Sequence, residues 1–156
     1  MVGVARRVDA YSMATLTFVF DPYCRRSAIV APVVLDLWRE HADDVTFRAV
    51  PTGFASSRFG FGPDCERTAR AFCALRRFAP EIPVALALHG RTVTRRGLTE
   101  LALAFGAEPA RVFAALDRRA ARAAPARGRA LRRGPGPALL FERDNIVSNL
   151  LTGIYA

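Results

Sequence analysis

The sequence contains no lysine, so all 23 of its basic side chains are arginines. It has only three cysteines, which are too few for a disulfide scaffold, and an odd number leaves at least one thiol unpaired within the chain. No apolar run approaches the roughly 20 residues that cross a bilayer, and the first residues lack the apolar core of a secretory signal. We therefore expect a cytoplasmic protein without a membrane span or a disulfide framework.

The size and composition are those of a globular protein. With 156 residues and 51% hydrophobic content, the chain is long enough for one domain with a sizeable core. We expect a short leader over residues 1–13 and a single domain over residues 14–156. The net charge of +9 is concentrated between Arg91 and Arg133, where eleven arginines face three acids. This segment has no regular interleaving of aromatic residues on which nucleic-acid bases could stack. It therefore indicates solvated helix surface and argues against nucleic-acid binding.

A strand–helix–strand pattern opens the predicted domain. Thr15–Phe20 is β-branched and aromatic and ends at Asp21-Pro22, which predicts a buried central strand. Apolar residues recur at helical spacing over Cys24–His41, and Val45–Val50 alternates before a proline, which predicts a second strand. This is a strand–helix–strand unit, whose crossover is almost always right-handed. We expect its two strands to be parallel neighbours in one sheet.

The rest of the chain predicts a helical group followed by a hairpin. The predicted helices are Cys65–Phe78 with Asp64 as its cap, Arg95–Phe105 and Glu108–Arg122, which form a helical insertion over about residues 64–124. Three prolines and three glycines predict a loop over Pro125–Pro137, and Ala138–Phe141 and Ile146–Leu150 predict an antiparallel hairpin. The fold class is therefore α/β, with a mixed sheet of about four strands and an inserted helical group.

Cys24 is the residue that most clearly indicates chemistry. It follows the first strand at the carboxyl edge of the sheet, where open α/β sheets place their sites, and it begins the first helix. The unpaired N–H groups of that helix end, together with Arg25 and Arg26, favour the thiolate, which is the nucleophilic form of cysteine. The alternative is a core cysteine that happens to start a helix.

The sequence resembles the DsbA-like branch of the thioredoxin superfamily, the DsbA/FrnE-like oxidoreductases. The similarity is carried by a strand that ends in Asp21-Pro22-Tyr23-Cys24, by Pro51-x-Gly53 after the second strand and by Gly136-Pro137 before the third. It covers about residues 14–150 and implies a thioredoxin-like fold with thiol–disulfide exchange at Cys24.

The resemblance also implies which residues hold the substrate. Tyr23, Arg25 and Arg26 surround the thiol in sequence, and Gly136-Pro137 is expected to form a cis peptide bond that faces Cys24 and binds substrate. The implied partner is a thiol or disulfide protein or glutathione. No tightly bound cofactor is expected, although glutathione is a candidate co-substrate.

Two departures from the family pattern limit this implication. The family motif is Cys-x-x-Cys, whereas Ser27 stands in the second cysteine position. Its hydroxyl can donate a hydrogen bond to the Cys24 thiolate but cannot form a disulfide, so Cys24 and Ser27 predict a monothiol site. Cys65, at the start of a predicted helix, is an open candidate for a resolving thiol. The chain also ends where family members begin a last helix that covers one sheet face. Either a neighbouring subunit covers that face or the fold is pared down, and we expect self-association, with a homodimer as the candidate assembly.

Three functions are compatible with these residues. The first is a thiol–disulfide oxidoreductase or isomerase that acts through one cysteine and forms mixed disulfides. The second is a glutathione-dependent transferase or isomerase of the kappa-like type, with Ser27 as the hydroxyl that activates the thiol. The third is a non-catalytic thioredoxin-like interaction module. No metal site is expected, because His41 and His89 lack metal-ligand spacing and indicate surface or loop histidines.

Overall fold

A computed structural model describes residues 13–53, 63–130 and 136–151 of the chain. Residues 1–12, which make up nearly all of the predicted leader, lie outside the described residues. Four strands and six helices follow one another in the order β1 (Ala14–Phe20), α1 (Arg25–His41), β2 (Val45–Pro51), α2 (Pro63–Leu75), α3 (Glu81–Leu88), α4 (Arg95–Ala104), α5 (Pro109–Leu116), α6 (Arg119–Ala130), β3 (Ala138–Arg143) and β4 (Ile146–Asn149). None of the described helices is both long enough and apolar enough to cross a membrane.

The strands form one mixed sheet in the order β2-β1-β3-β4. β1 and β2 are parallel, while β3 pairs antiparallel with both β1 and β4. The predicted α/β class and the predicted strand directions are therefore confirmed. The hairpin turns at Asp144 and Asn145, whose φ angles of 52° and 66° are those of a two-residue turn that matches the twist of the strands.

The strand order makes β1 a central strand, and both of its faces are buried at the carboxyl end. Leu16, Phe18 and Phe20 lie on one face, in the main core together with residues of α1, α2 and α3. The Phe20 ring meets the Phe72 ring of α2 edge to face, with centroids 5.7 Å apart. Val19 lies on the other face and is completely buried. This packing fixes the end of β1, from which the loop to α1 departs.

The helical layer differs from the prediction in several places. α2 begins at Pro63, so Asp64 lies in its first turn and is not its cap. The helix expected over Glu108–Arg122 is two helices, because α5 ends at Leu116 and α6 starts at Arg119. Between the first two predicted helices the structure has a further helix, α3. The helices between β2 and β3 thus run from residue 63 to residue 130, beyond the predicted limit of 124.

The prediction of a loop over Pro125–Pro137 is wrong for residues 125–130, because α6 continues through Pro125 to Ala130, while residues 131–135 lie outside the described residues. A proline in a helix loses one backbone hydrogen bond, which favours a break. Here tertiary packing outweighs that loss. Small residues of α6 pack closely against α2 in a cluster formed by Ala69, Cys73, Ala121 and Ala124.

Thr52 ties α6 to the loop after β2, and its replacement by valine tests this contact. The Thr52 hydroxyl donates to the Gly128 carbonyl at 2.7 Å, and both residues are buried. Thr52→Val keeps the side-chain shape but leaves that carbonyl without its donor, so urea unfolding should show a loss of about 1–3 kcal/mol. Thr99→Val, which removes a hydroxyl from the surface of α4, is the matched control and should cost less than half as much. Equal losses would contradict the account.

Candidate functional site

Cys24 is the N-cap of α1 and lies in the predicted position. Its backbone is extended (φ −92°, ψ 125°), its N–H donates to the Asp21 carbonyl at 3.1 Å, and its own carbonyl accepts from Ala28 N–H at 3.0 Å. The turn from Asp21 to Cys24 therefore delivers the thiol to the first turn of α1. The exposed fraction of Cys24 is only 5%, equal to that of Cys73, so exposure does not distinguish it from the other cysteines. What distinguishes Cys24 from the other two cysteines is its position at the start of α1.

The start of β3 lies next to Cys24. Ala138 belongs to the same apolar cluster as Cys24 and Val19, so the two residues before it, Gly136 and Pro137, reach this edge of the sheet. Both are buried. The described residues contain no cis peptide bond, so the prediction of a cis Gly136–Pro137 bond is wrong. An X–Pro bond prefers the trans isomer by about 0.5–1 kcal/mol, and here the chain enters β3 without departing from that preference.

Ser27 lies one helical turn after Cys24 and is completely buried. Its oxygen accepts from Asp21 N–H at 3.2 Å and lies 2.8 Å from His89 Nε2. His89 Nδ1 lies 2.8 Å from the Ala85 carbonyl, which can only accept, so Nδ1 carries the proton of the neutral ring. Nε2 is then the acceptor, and the Ser27 hydroxyl donates to it.

This arrangement corrects the expected role of Ser27. A hydroxyl has one proton, and the one on Ser27 is directed to His89. The expected hydrogen bond from Ser27 to the Cys24 thiolate is therefore not available while His89 is neutral. Ser27 instead joins the start of α1 to the end of β1 and to α3, which is the position of a residue that orients the Cys24 turn.

His89 is the residue that sequence reasoning missed. It was expected to be a surface or loop histidine, but it caps the end of α3 and packs against Phe18 and Phe20, with ring centroids 6.2 and 5.2 Å away. The two phenylalanines share a face of β1, which sequence alternation could show. Nothing in the spacing showed that α3 would bring a histidine onto that face.

The segment after α3 is fastened to the Cys24 turn over three consecutive residues. His89 binds Ser27, Gly90 N–H donates to the Pro22 carbonyl at 2.7 Å, and the Arg91 carbonyl accepts from the Tyr23 hydroxyl at 3.1 Å. Gly90 adopts φ +70°, a conformation that glycine accommodates without strain. The turn that presents Cys24 is therefore held from two sides, by α1 and by residues 89–91.

Tyr23 also connects Cys24 to α2. Its hydroxyl lies 3.3 Å from the Thr68 hydroxyl. Burial raises the pKa of Tyr23 above its ordinary 10.0, the hydrogen bond to Thr68 acts in the opposite direction, and the charges of Asp64 and Asp21 add to the rise, to which nearby Cys65 also contributes. Cys65 is thus close to the Tyr23 side chain, although it is itself buried. The predicted site residues Arg25 and Arg26 are both exposed beside the thiol.

The burial of His89 predicts how stability changes with pH. Burial lowers its pKa below the ordinary 6.5, although the Ala85 carbonyl and the Asp21 charge act in the opposite direction. Because the unfolded chain binds the proton more tightly, this contribution to stability is complete above pH 6.5 and is lost progressively as the pH falls below it. Urea unfolding from pH 7.5 to pH 5 should show this decrease.

His89→Gln removes the titrating group and should flatten that decrease, whereas His41→Gln, at the exposed end of α1, is the matched control. An unchanged slope in His89→Gln would show that other groups cause the pH dependence.

In the described ranges, no three histidine, cysteine, aspartate or glutamate side chains are grouped so that they could hold a metal ion. None of the three cysteines, all of which lie in these ranges, is part of a disulfide.

Comparison with known proteins identifies the fold. No protein-family model and no curated protein matches the sequence. Among solved structures, the chain is similar to a proposed protein disulfide isomerase from Nitrosomonas europaea (18% identity, 90% of each chain covered, TM-score 0.69). It is also similar to the cytosolic disulfide reductase DsbM from Pseudomonas aeruginosa (20% identity, 90% of this chain and 91% of that one, TM-score 0.68). A third is the thiol–disulfide exchange protein α-DsbA2 from Wolbachia pipientis (10% identity, 90% and 75%, TM-score 0.64). The chain therefore has the DsbA-like thioredoxin fold that the sequence predicted.

Proposed function

We propose that this protein is a thiol–disulfide oxidoreductase or isomerase that acts through one nucleophilic cysteine, Cys24. The observation that carries the proposal is the position of Cys24 as N-cap of α1, at the carboxyl end of the central strand of a DsbA-like fold. At this position the helix N–H groups and the exposed Arg25 and Arg26 favour negative charge on sulfur. The structurally similar proteins include a disulfide reductase and a thiol–disulfide exchange protein.

The proposed reaction is an exchange between one thiol and one disulfide. The Cys24 thiolate attacks one sulfur of the substrate disulfide, the substrate S–S bond breaks, and the other substrate sulfur leaves as a thiolate that takes up a proton. Cys24 is then joined to the substrate by a mixed disulfide. A second thiol, from glutathione or from the substrate protein, attacks this bond and releases Cys24 as a thiolate. No step requires a further oxidant or reductant.

The contacts of Ser27 favour this proposal over a glutathione transferase. In the transferase hypothesis a serine hydroxyl would have to face the bound thiol of glutathione. Ser27 is completely buried, and its proton is directed to His89. No contact of the described residues favours the transferase, and a non-catalytic module would leave the placement of Cys24 among positive charges without a use. We further propose that the protein acts in the reducing cytoplasm, where its three cysteines would remain thiols.

The test is to treat the reduced protein with oxidised glutathione and follow the adduct by intact mass and peptide mapping. We expect one mixed disulfide, on Cys24, that added thiol removes. Cys65→Ser tests whether Cys65 is a resolving thiol. If the adduct is equally stable in this variant and in the wild type, Cys24 acts alone. An adduct that forms only when Cys65 is absent would assign the resolving role to Cys65. Modification of Cys73 in place of Cys24 would contradict the proposal.

A further inference from the structure

Arginines from two separate parts of the chain lie at the turn that holds Cys24. Arg25 and Arg26 follow the thiol directly on α1 and are exposed. Arg91 is also exposed, and its backbone is held against the same turn, because its carbonyl accepts from the Tyr23 hydroxyl and its neighbour Gly90 donates to Pro22. The fold therefore brings the backbone of a third arginine, remote in sequence, to the turn that holds Cys24.

Two of these arginines have no acidic partner among the described side chains. Within the described parts of the chain, neither Arg25 nor Arg91 forms an ion pair. Asp21 belongs to this turn and Asp64 acts on the Tyr23 hydroxyl, and both carboxylates have partners of their own. Asp21 is completely buried and accepts from Tyr23 N–H at 2.9 Å, and Asp64 pairs with Arg67 at 3.1 Å on α2. The exposed side chains that directly follow Cys24 on α1 are therefore positively charged.

We infer that this site selects disulfides that carry carboxylates near the sulfur atoms, and that Arg91 contributes to the selection. The inference rests on the proposed thiol–disulfide exchange at Cys24 and names its substrate class. An anionic disulfide is drawn to the arginines as it approaches, and the same charges oppose a cationic disulfide. Oxidised glutathione and disulfides flanked by aspartate or glutamate belong to the favoured class. The exchange itself is unchanged: one S–S bond breaks, one forms, and one thiolate leaves.

Three small disulfides of similar size but different charge test the inference. These are 3,3′-dithiodipropionate, which is anionic, bis(2-hydroxyethyl) disulfide, which is neutral, and cystamine, which is cationic. We expect Cys24 to react fastest with the anion and slowest with the cation. Removal of one unit charge within about 10 Å changes a rate by about twofold for each sign of probe, so Arg91→Gln should lower the anion-to-cation rate ratio about fourfold. Salt at about 0.5 M should lower this ratio in the wild type as well.

Arg39→Gln is the matched control because it removes the same charge from the last turn of α1. That residue lies about 22 Å along the helix from Cys24, well beyond the screening length at physiological salt. It should leave the rate ratio unchanged. If Cys24 reacts with all three probes at equal rates, the inference is wrong while the proposed exchange stands. If Cys24 reacts with none of them, the proposed function itself fails. If Arg39→Gln lowers the ratio as much as Arg91→Gln does, the selection is a net-charge effect and Arg91 has no special part.

Discussion

Cys24→Ser is expected to abolish mixed-disulfide formation. Serine keeps the size and the backbone contacts of the N-cap but replaces the sulfur by a hydroxyl, which neither ionises nor exchanges with disulfides at neutral pH. We expect the rate of adduct formation with bis(2-hydroxyethyl) disulfide to fall by at least about 100-fold, because neither of the other two thiols is the N-cap of α1 followed by Arg25 and Arg26. Stopped-flow or mass-spectrometric kinetics would measure the loss.

Cys73→Ser is the matched control for that variant. Cys73 has the same exposed fraction as Cys24, 5%, but lies within α2 in a cluster of small side chains. Its replacement should leave the exchange rate within about twofold of the wild type. If Cys73→Ser and Cys24→Ser slow the reaction equally, the reactivity belongs to the fold as a whole, and Cys24 is not the nucleophile.

Ser27→Cys is expected to turn the monothiol site into a dithiol site. Residues three apart in the first turn of a helix lie about 5–6 Å apart, which is within the range that a disulfide spans. The new thiol would take the place of a hydroxyl that lies 2.8 Å from His89 Nε2, and a neutral imidazole can accept its proton. We expect the rate of insulin reduction to rise at least about tenfold above that of the wild type, which has no second thiol at this position.

The control for the new thiol is Ser148→Cys, which adds a cysteine on the exposed strand β4. It should not raise insulin reduction. In oxidised Ser27→Cys, peptide mapping should find a disulfide that joins Cys24 to the introduced thiol. If that disulfide forms and insulin reduction stays at the level of the wild type, the geometry around α1 does not support exchange with protein disulfides, and the proposed function is wrong for this substrate class.

Local patterns were sufficient to predict the sheet. β1 and β2 could be found from their composition and from the residues that stop them, and the hairpin from Asp144 and Asn145 at its turn. The position of Cys24 followed from the same patterns, since only a short turn separates the end of β1 at Phe20 from the start of α1 at Arg25. Ile146 and Val147, which expose 69% and 56% of their surface on β4, are in line with the predicted homodimer, which stays a prediction.

Long-range packing decided what the sequence could not show. α6 persists through Pro125 because small residues let it approach α2, and local propensity contains no information about that approach. His89 reaches Ser27 across 62 residues, and Arg91 reaches Tyr23 across 68. The redirected hydroxyl of Ser27 and the third arginine at the site both depend on these contacts, so neither could be derived from the spacing of residues 21–27.

The most direct test of the central claim is a competition among the three cysteines for a limiting amount of iodoacetamide at pH 7. Peptide mapping by mass spectrometry then gives the order in which they are labelled. All three are buried to a similar degree, so the order reports the chemical environment of each sulfur more than its exposure. We predict that Cys24 is labelled first, at a rate at least about tenfold higher than the labelling rates of Cys65 and Cys73. Labelling of Cys65 or Cys73 ahead of Cys24 would contradict the claim that Cys24 is the nucleophile.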